Sequence, residues 1–160
     1  MADAGIEIDH PNREKTASKA TRAVVVVLLL VSALVMIVIT IGAWDVLVGA
    51  KGVQVLYILL YLGIAYLVTR WSRGVLPVAA ALAIVLLIFA LVSAPGWFDR
   101  DRTGFEDPAL DSGLLGLVTV LIVPVQVLLI AFAMRGFSQE WNVEVERRTE
   151  APTRAAPAAG

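Results

Sequence analysis

Four long uncharged stretches alternate with short charged segments along the chain. They contain 22, 18, 25 and 23 residues, 88 of the 160 in total, at positions 23–44, 52–69, 74–98 and 112–134. A helix needs about 20 apolar residues to cross the roughly 30 Å hydrocarbon core of a bilayer. Because an isolated strand leaves its backbone groups unpaired in lipid, the valine-rich stretches are also expected to be helical. The pattern predicts an all-α membrane protein, a four-helix transmembrane bundle over residues 23–134 with spans at about 23–43, 53–69, 75–94 and 112–134.

The first span follows a basic segment, an arrangement that secretory signal peptides share. Their apolar segment has about 7–15 residues and ends in a small-x-small cleavage pattern. Here the segment from Ala23 to Ala43 has 21 residues, and Trp44 directly after it is a poor neighbour for cleavage. We interpret the segment as an uncleaved span, with cleavage near Ala43 as the alternative.

Basic residues are concentrated on one side of the predicted spans. Ten of them lie before span one, between spans two and three, and after span four, whereas the other two connections contain three. The ten are Arg13, Lys15, Lys19, Arg22, Arg70, Arg73, Arg135, Arg147, Arg148 and Arg154, and the three are Lys51, Arg100 and Arg102. Because cytoplasmic segments retain positive charge, both termini are predicted to be cytoplasmic, in a cell membrane. Trp44 and Trp97 would then lie at the outer boundary of the bilayer and Trp71 at the inner one, as in an aromatic belt.

The segments outside the spans are short. Residues 1–22 are predicted to form a cytoplasmic N-terminal tail, and residues 149–160, rich in Ala and Pro, a disordered tail. The connection Arg70-Trp71-Ser72-Arg73-Gly74 is so short that spans two and three are predicted to be antiparallel neighbours. Span three is predicted to stop at Ala94-Pro95-Gly96, since proline cannot continue a regular helix.

The segment after span four has two interpretations. Phe137, Trp141 and Val145 recur every four residues, which favours a short amphipathic cytoplasmic helix over residues 135–148. The alternation in Val143-Glu144-Val145-Glu146 is also typical of a strand.

Composition and charge weigh against several functional classes. The formal net charge is −1, so no basic excess indicates a nucleic-acid partner. The chain has no cysteine, and its only histidine, His10, lies in the N-terminal tail, where we interpret it as solvated. None of the four stretches contains Asp, Glu, Lys, Arg or His, the usual markers of proton relays and ion paths. We therefore predict no enzyme activity, no catalytic residue, no metal ligand and no cofactor.

A few weakly polar side chains remain near the middle of the spans. Ser32, Tyr61 and Gln126 lie at similar depths on spans one, two and four, so we predict that they form one hydrogen-bonded layer. Nearby Pro124 removes a helical hydrogen bond, which predicts a bend and leaves the Val120 carbonyl in need of a partner. We interpret the layer as hydrogen bonding between helices. The alternative is a site for a small lipid-like or quinone-like ligand at the bend.

Three helix faces are candidates for packing or docking. They are Gln54, Tyr57 and Tyr61 on span two, Ala79, Ala83, Ala90 and Ala94 on span three, and Gly113 and Gly116 on span four. The polar stripe of span two is expected to face either the bundle or a partner protein. Small residues let helix backbones approach closely. We interpret the small-residue faces as packing within the bundle, with docking of another subunit as the alternative.

The longest predicted outer loop, residues 95–111, partly matches a calcium-binding loop. Counting from Asp99, oxygen-bearing side chains occupy positions 1, 3, 5 and 9, and Gly104 occupies position 6. The bidentate acid belongs at position 12, where the chain has Leu110, and Asp111 comes one residue late. We expect no tight calcium site, with a weak divalent-cation site as the alternative.

The functional prediction follows from small extramembrane segments, small-residue faces and an uncharged core. We predict a polytopic accessory or scaffold subunit that packs against a larger membrane complex. Its partners would be the lipid bilayer and either another membrane protein or further copies of itself. The alternative is an oligomeric channel or carrier for an uncharged or lipid-like solute. Arginine outnumbers lysine ten to three and Ala, Val and Leu dominate, which indicates a bacterium with a GC-rich genome.

Overall fold

The computed structural model describes residues 6–100, 104 and 106–148, and this part of the chain is mostly helical. Its helices and strands are β1 (Ile6–Asp9), α1 (Pro11–Glu14), α2 (Thr16–Gly42), α3 (Lys51–Thr69), a 3-10 turn (Arg73–Val75), α4 (Leu76–Phe98), α5 (Ser112–Ser138) and β2 (Val145–Arg148). The four helices α2 to α5 are long and apolar enough to cross a membrane. They match the four predicted spans and indicate a multi-pass membrane protein.

The helices extend further than the apolar stretches. α2 begins at Thr16, inside the predicted polar tail, and α5 continues to Ser138. α4 does not stop at Ala94 as predicted, but runs through Pro95 to Phe98. Packing explains the last difference: Trp97 is buried, and the Phe98 ring lies against Gly116 of α5, where an added Cβ would be 2.6 Å from it. These contacts stabilise a turn that proline alone would weaken.

The helices do not all contact one another equally. α4 packs most extensively on α5, and α2 packs on both α3 and α5, whereas α3 and α4 contact each other only sparsely. The short connection between α3 and α4 therefore does not make them closely packed neighbours along their lengths, contrary to the prediction. The reason lies on α4, where Ala79, Ala83, Ala90 and Ala94 are all buried. This small-residue face allows the close approach of α4 to α5, which accounts for its packing within the chain.

The described ends of the chain meet at one end of the protein. β1 pairs antiparallel with β2, and Ile8 lies opposite Glu146. The predicted amphipathic helix over 135–148 is therefore wrong beyond Ser138, where α5 ends and the chain turns through Glu140 at φ +49°. The strand interpretation was the better one, because β2 finds its partner in the N-terminal segment. The predicted disordered tail, 149–160, lies outside the described residues.

We name the two ends of the protein by what they contain. The terminal end contains the cap, defined as residues 6–15 and 139–148, together with the connection between α3 and α4. The loop end contains the connection at residues 43–50 and the described residues of the connection between α4 and α5, namely 99–100, 104 and 106–111. At the loop end, the Leu110 amide donates to the Gly42 carbonyl at 2.9 Å, and Asp111 accepts from the Leu114 amide at the start of α5.

Candidate functional site

The polar layer, defined as Ser32, Tyr61 and Gln126, forms as predicted. The Tyr61 hydroxyl donates to Oε1 of Gln126 at 2.9 Å, and Nε2 of Gln126 donates to Oγ of Ser32 at 2.9 Å. The Ser32 hydroxyl in turn donates to the Leu28 carbonyl at 2.7 Å. All three side chains are buried, with exposures of 1% or less. The layer links α2, α3 and α5. The Tyr61 hydroxyl and the Gln126 amide are hydrogen-bonded within the layer.

The stripe on α3 faces the interior of the protein. Tyr57 and Tyr61 are buried, with their ring centroids 6.0 Å apart in an edge-to-face arrangement. One turn nearer the loop end, the Gln54 side chain is hydrogen-bonded to the Thr40 hydroxyl of α2. Of the two predicted orientations, the structure therefore has the stripe facing the other helices.

A cavity of about 320 Å³ lies between the helices in the half of the protein nearest the loop end. It is lined by Met36, Ile39, Leu47, Ala50, Val53, Gln54, Tyr57, Leu86, Phe89, Ala90, Ser93, Trp97, Thr119 and Ile122. The cavity occurs where α3 and α4 stand apart, and Val53, Phe89 and Ser93 at this gap are exposed. Gln54, Tyr57, Ser93 and Thr119 are the polar members of this lining. We call it the loop-end cavity.

The polar layer forms the floor of this cavity. Met36 lies one helical turn beyond Ser32, Tyr57 one turn before Tyr61, and Ile122 one turn before Gln126. On each of the three helices, a residue that lines the cavity thus stacks directly above a member of the layer. Pro124 instead lines a shallow groove on the surface between α4 and α5, and α5 is continuous through it. The cavity therefore differs from the predicted site at a bend of span four.

At the opposite end, the cap closes the helices around Trp141. This indole is fully buried, and its ring meets Trp71 edge-to-face at a centroid distance of 5.3 Å. It also packs on Gly136, where an added Cβ would lie 3.1 Å from the Trp141 ring. Its ring N–H donates to Gln139, whose amide donates to the Thr21 hydroxyl at 3.0 Å. This aromatic centre ties the C-terminal segment to the first turns of α2.

Arginines join the segments of the terminal end. Nε of Arg13 donates to the Trp141 carbonyl at 3.0 Å, and Nε of Arg73 donates to the Phe137 carbonyl at 2.7 Å. The Arg22 guanidinium stacks over Trp71 at 4.1 Å and donates to the Thr69 carbonyl. Three of the basic residues counted in the sequence as markers of orientation therefore also make contacts between segments of the fold.

The structure changes the interpretation of His10 and of Asp111. His10 is less exposed than a solvated tail residue, at 27% for its side chain, and Nε2 lies 3.4 Å from a Glu144 carboxylate oxygen. In the calcium-like loop, Asp101 and Thr103 lie outside the described residues. Asp111, the late acid of that pattern, serves as the N-cap of α5. Within the described ranges, no three His, Asp or Glu side chains are grouped to hold a metal ion.

The lining of the loop-end cavity determines what chemistry it allows. Among the described residues that line it, none is charged. The polar groups that it offers are hydroxyls and one amide, which bind by hydrogen bonds and do not titrate near neutral pH. Such a site suits an uncharged ligand with a large apolar part.

Sequence reasoning found the polar layer but missed the cavity and the cap. The layer was visible because its members are rare polar residues at matching depths. The cavity arises from the separation of α3 and α4, for which no local sequence pattern exists. The cap had partial signals, the alternation at Val143–Glu146 and a second alternation at Ile6–Asp9, but their pairing spans more than 130 residues.

Comparison of the chain with family models, with curated proteins and with solved structures finds no match.

Proposed function

We propose that this chain is an accessory subunit of a cell-membrane complex, a non-enzymatic four-helix transmembrane bundle with both termini in the cytoplasm. The observation that carries the proposal is the cap. Short polar tails of a membrane protein gain little from folding unless they bury apolar surface. Here they pair as strands and enclose Trp141. A folded cap gives a partner a fixed surface to recognise, which flexible tails do not.

The cap also carries exposed apolar side chains outside the spans. Ile8 is 56% exposed and Val145 is 44% exposed, on a part of the protein that would face water. Exposed apolar residues outside a membrane are candidates for contacts with another protein. The two side chains lie on opposite faces of the ribbon, because Ile8 pairs with Glu146 and Val145 with Asp9. A partner would contact Ile8 beside Glu146 on one face, or Val145 beside Asp9 on the other.

The cytoplasmic position of the cap is supported by the ten-to-three excess of basic residues on its side. We expect the variants Asp3→Cys and Ala158→Cys to be protected from an impermeant thiol reagent in intact cells, and Thr103→Cys to react. The native chain has no cysteine, so the assay has no background. Labelling at both termini but not at position 103 would reverse the orientation.

The accessory role is tested by purification from native membranes in a mild detergent. A second membrane protein should co-purify at fixed stoichiometry and be lost from the double variant Ile8→Ser, Val145→Ser. Val48→Ser is the matched control, because Val48 is 86% exposed at the loop end. Recovery of the wild-type chain alone would contradict the proposal.

A second candidate is the oligomeric channel or carrier for an uncharged or lipid-like solute, which the loop-end cavity favours. A path across the bilayer would need polar groups along its whole length. Gln54 and Tyr57 line the cavity, but Tyr61 and Gln126 are bonded to each other at its floor. A homo-oligomer that conducts or exchanges a neutral solute in liposomes would favour this candidate over the accessory role.

A further inference from the structure

The loop-end cavity has the size and lining of a ligand site. Its volume of about 320 Å³ lies at the lower end of the range of small-molecule pockets, about 300–1,000 Å³. Protein interiors contain few voids larger than a water molecule. A methylene group is similar in size to the roughly 30 Å³ that a water molecule occupies, so the cavity holds about ten such groups. That volume suits one hydrocarbon chain and is too small for a helix.

The position of the cavity determines where its occupant comes from. The gap between α3 and α4 gives the cavity a lateral opening, flanked by the exposed side chains of Val53 and Phe89. In a bilayer this opening faces lipid chains, not water. An apolar cavity does not hold water stably, so the chain of a neighbouring lipid is the molecule available to fill it.

Two hydrogen-bond donors near the mouth favour a chain that carries a carbonyl group. The Tyr57 hydroxyl has no hydrogen-bond partner among the described residues, and of the two amide N–H groups of Gln54 the contact with Thr40 uses at most one. Gln54 and Tyr57 lie three and six residues into α3, about 4.5 Å and 9 Å below Lys51 along the helix axis. This is close to the boundary between headgroups and hydrocarbon, where the ester carbonyls of lipids lie.

We propose that the loop-end cavity binds one acyl chain of a bilayer lipid, which enters between α3 and α4. Its methylene groups lie against Leu86, Phe89 and Ile122, and its ester carbonyl accepts hydrogen bonds from Gln54 and Tyr57. The polar layer closes the inner end of the site, so the chain is held and not passed across the bilayer. The site goes beyond the accessory role and does not depend on a partner protein.

Filling the mouth of the cavity is the first test. Ser93→Leu adds an apolar side chain at an exposed lining position, whereas Ala81→Leu adds one at an exposed position of the same helix outside the lining. Each purified protein is titrated with a diacyl phospholipid in mild detergent, and bound lipid is counted by native mass spectrometry. We expect one tightly bound lipid on the wild type and on Ala81→Leu, and at least tenfold weaker binding to Ser93→Leu.

Removing the donors tests the position of the carbonyl. Tyr57→Phe and Gln54→Leu keep the bulk of the side chains and each removes its hydrogen-bonding group. We expect each to weaken the binding of the ester lipid about 2- to 10-fold, as for the loss of one hydrogen bond. Binding of an ether-linked phospholipid, which lacks the carbonyl, should not change in either variant.

Tryptophan fluorescence gives an independent measure of where the acyl chain binds. Trp97 lines the cavity, whereas Trp71 and Trp141 lie together at the terminal end. In a Trp44→Phe background, a phospholipid brominated in mid-chain should therefore quench the part of the fluorescence that comes from Trp97. Quenching should saturate with one lipid per protein and decrease when Ser93→Leu is added. A wild type without a bound lipid would overturn the proposal, and so would equal lipid binding by Ser93→Leu and Ala81→Leu.

Discussion

At the terminal end the helices converge on a buried tryptophan, whereas at the loop end two of them stand apart around a cavity. The same four helices form both ends, so their apolar composition does not explain the difference. What differs is the extramembrane chain. The terminal end has two tails that pair with each other and fold over Trp141. Among the described residues of the loop end, the two connections are joined by the backbone hydrogen bond from Leu110 to Gly42.

The polar layer lies at the transition between these regions. It links α2, α3 and α5 by hydrogen bonds and does not include α4. α4 is positioned by its small-residue face on α5 and by its own contacts near Leu76 and Gly136. The layer therefore joins α3 to α2 and α5 but not to α4. This agrees with the separation of α3 from α4 between the layer and the loop end.

The largest expected effect on stability comes from removing the buried tryptophan of the terminal end. Trp141→Ala removes a fully buried indole, and we expect a loss of about 3–5 kcal/mol in the free energy of unfolding in detergent. Trp44→Ala is the control, because Trp44 is 47% exposed at the loop end. It should change stability by less than about 1 kcal/mol. A loss below about 1 kcal/mol in Trp141→Ala, as expected for the control, would mean that the cap does not contribute to folding.

Breaking the polar layer should have an intermediate effect. Gln126→Leu nearly keeps the side-chain volume but leaves the Tyr61 hydroxyl without its acceptor. We expect a loss of about 0.5–2 kcal/mol, as measured for hydrogen bonds between membrane helices. Val127→Leu, at an exposed neighbouring position, should have little effect in the same unfolding assay. Unchanged stability in Gln126→Leu would show that the layer does not hold the helices together.

The arginine contacts of the terminal end should contribute less. Arg22→Gln removes the stacking over Trp71 and the charged donor to the Thr69 carbonyl. We expect a loss of about 0.5–1 kcal/mol, typical of an exposed cation–π contact. Lys19→Gln removes an exposed charge from the same helix and serves as the control. A loss no larger than that of the control would assign Arg22 to membrane orientation alone.

Calcium should have the smallest effect, at the loop end. Leu110 supplies no oxygen where the binding pattern needs a bidentate acid, and Asp111 caps α5. A site with a dissociation constant of about 10⁻⁴ to 10⁻³ M would stabilise the protein by less than about 0.5 kcal/mol at 0.1 mM calcium. Thermal unfolding with and without calcium measures this. A shift of several degrees that Asp101→Ala abolishes would show that the loop end is stabilised by an ion.

The sequence by itself determined four helices that are long and apolar enough to cross a membrane, because a run of about 20 uncharged residues is a local property of the chain. It also determined the polar layer. In long helices of similar length, the depth of a residue in the bilayer follows from its position in the helix. The few polar side chains at one depth are surrounded by apolar ones, so they form hydrogen bonds with one another. The sidedness of the basic residues is likewise a property of the sequence alone.

Tertiary structure decided which helices touch. The connection Arg70–Gly74 favours adjacency of α3 and α4, but α4 packs mainly on α5. The gap that remains between α3 and α4 is the loop-end cavity. The secondary structure of the segment after Ser138 also depends on residues far away in the sequence. Its residues fit a helix or a strand locally, and the strand forms because Ile6–Asp9 supplies the hydrogen-bonding partners. Pairing between residues so far apart has no signature in either segment alone.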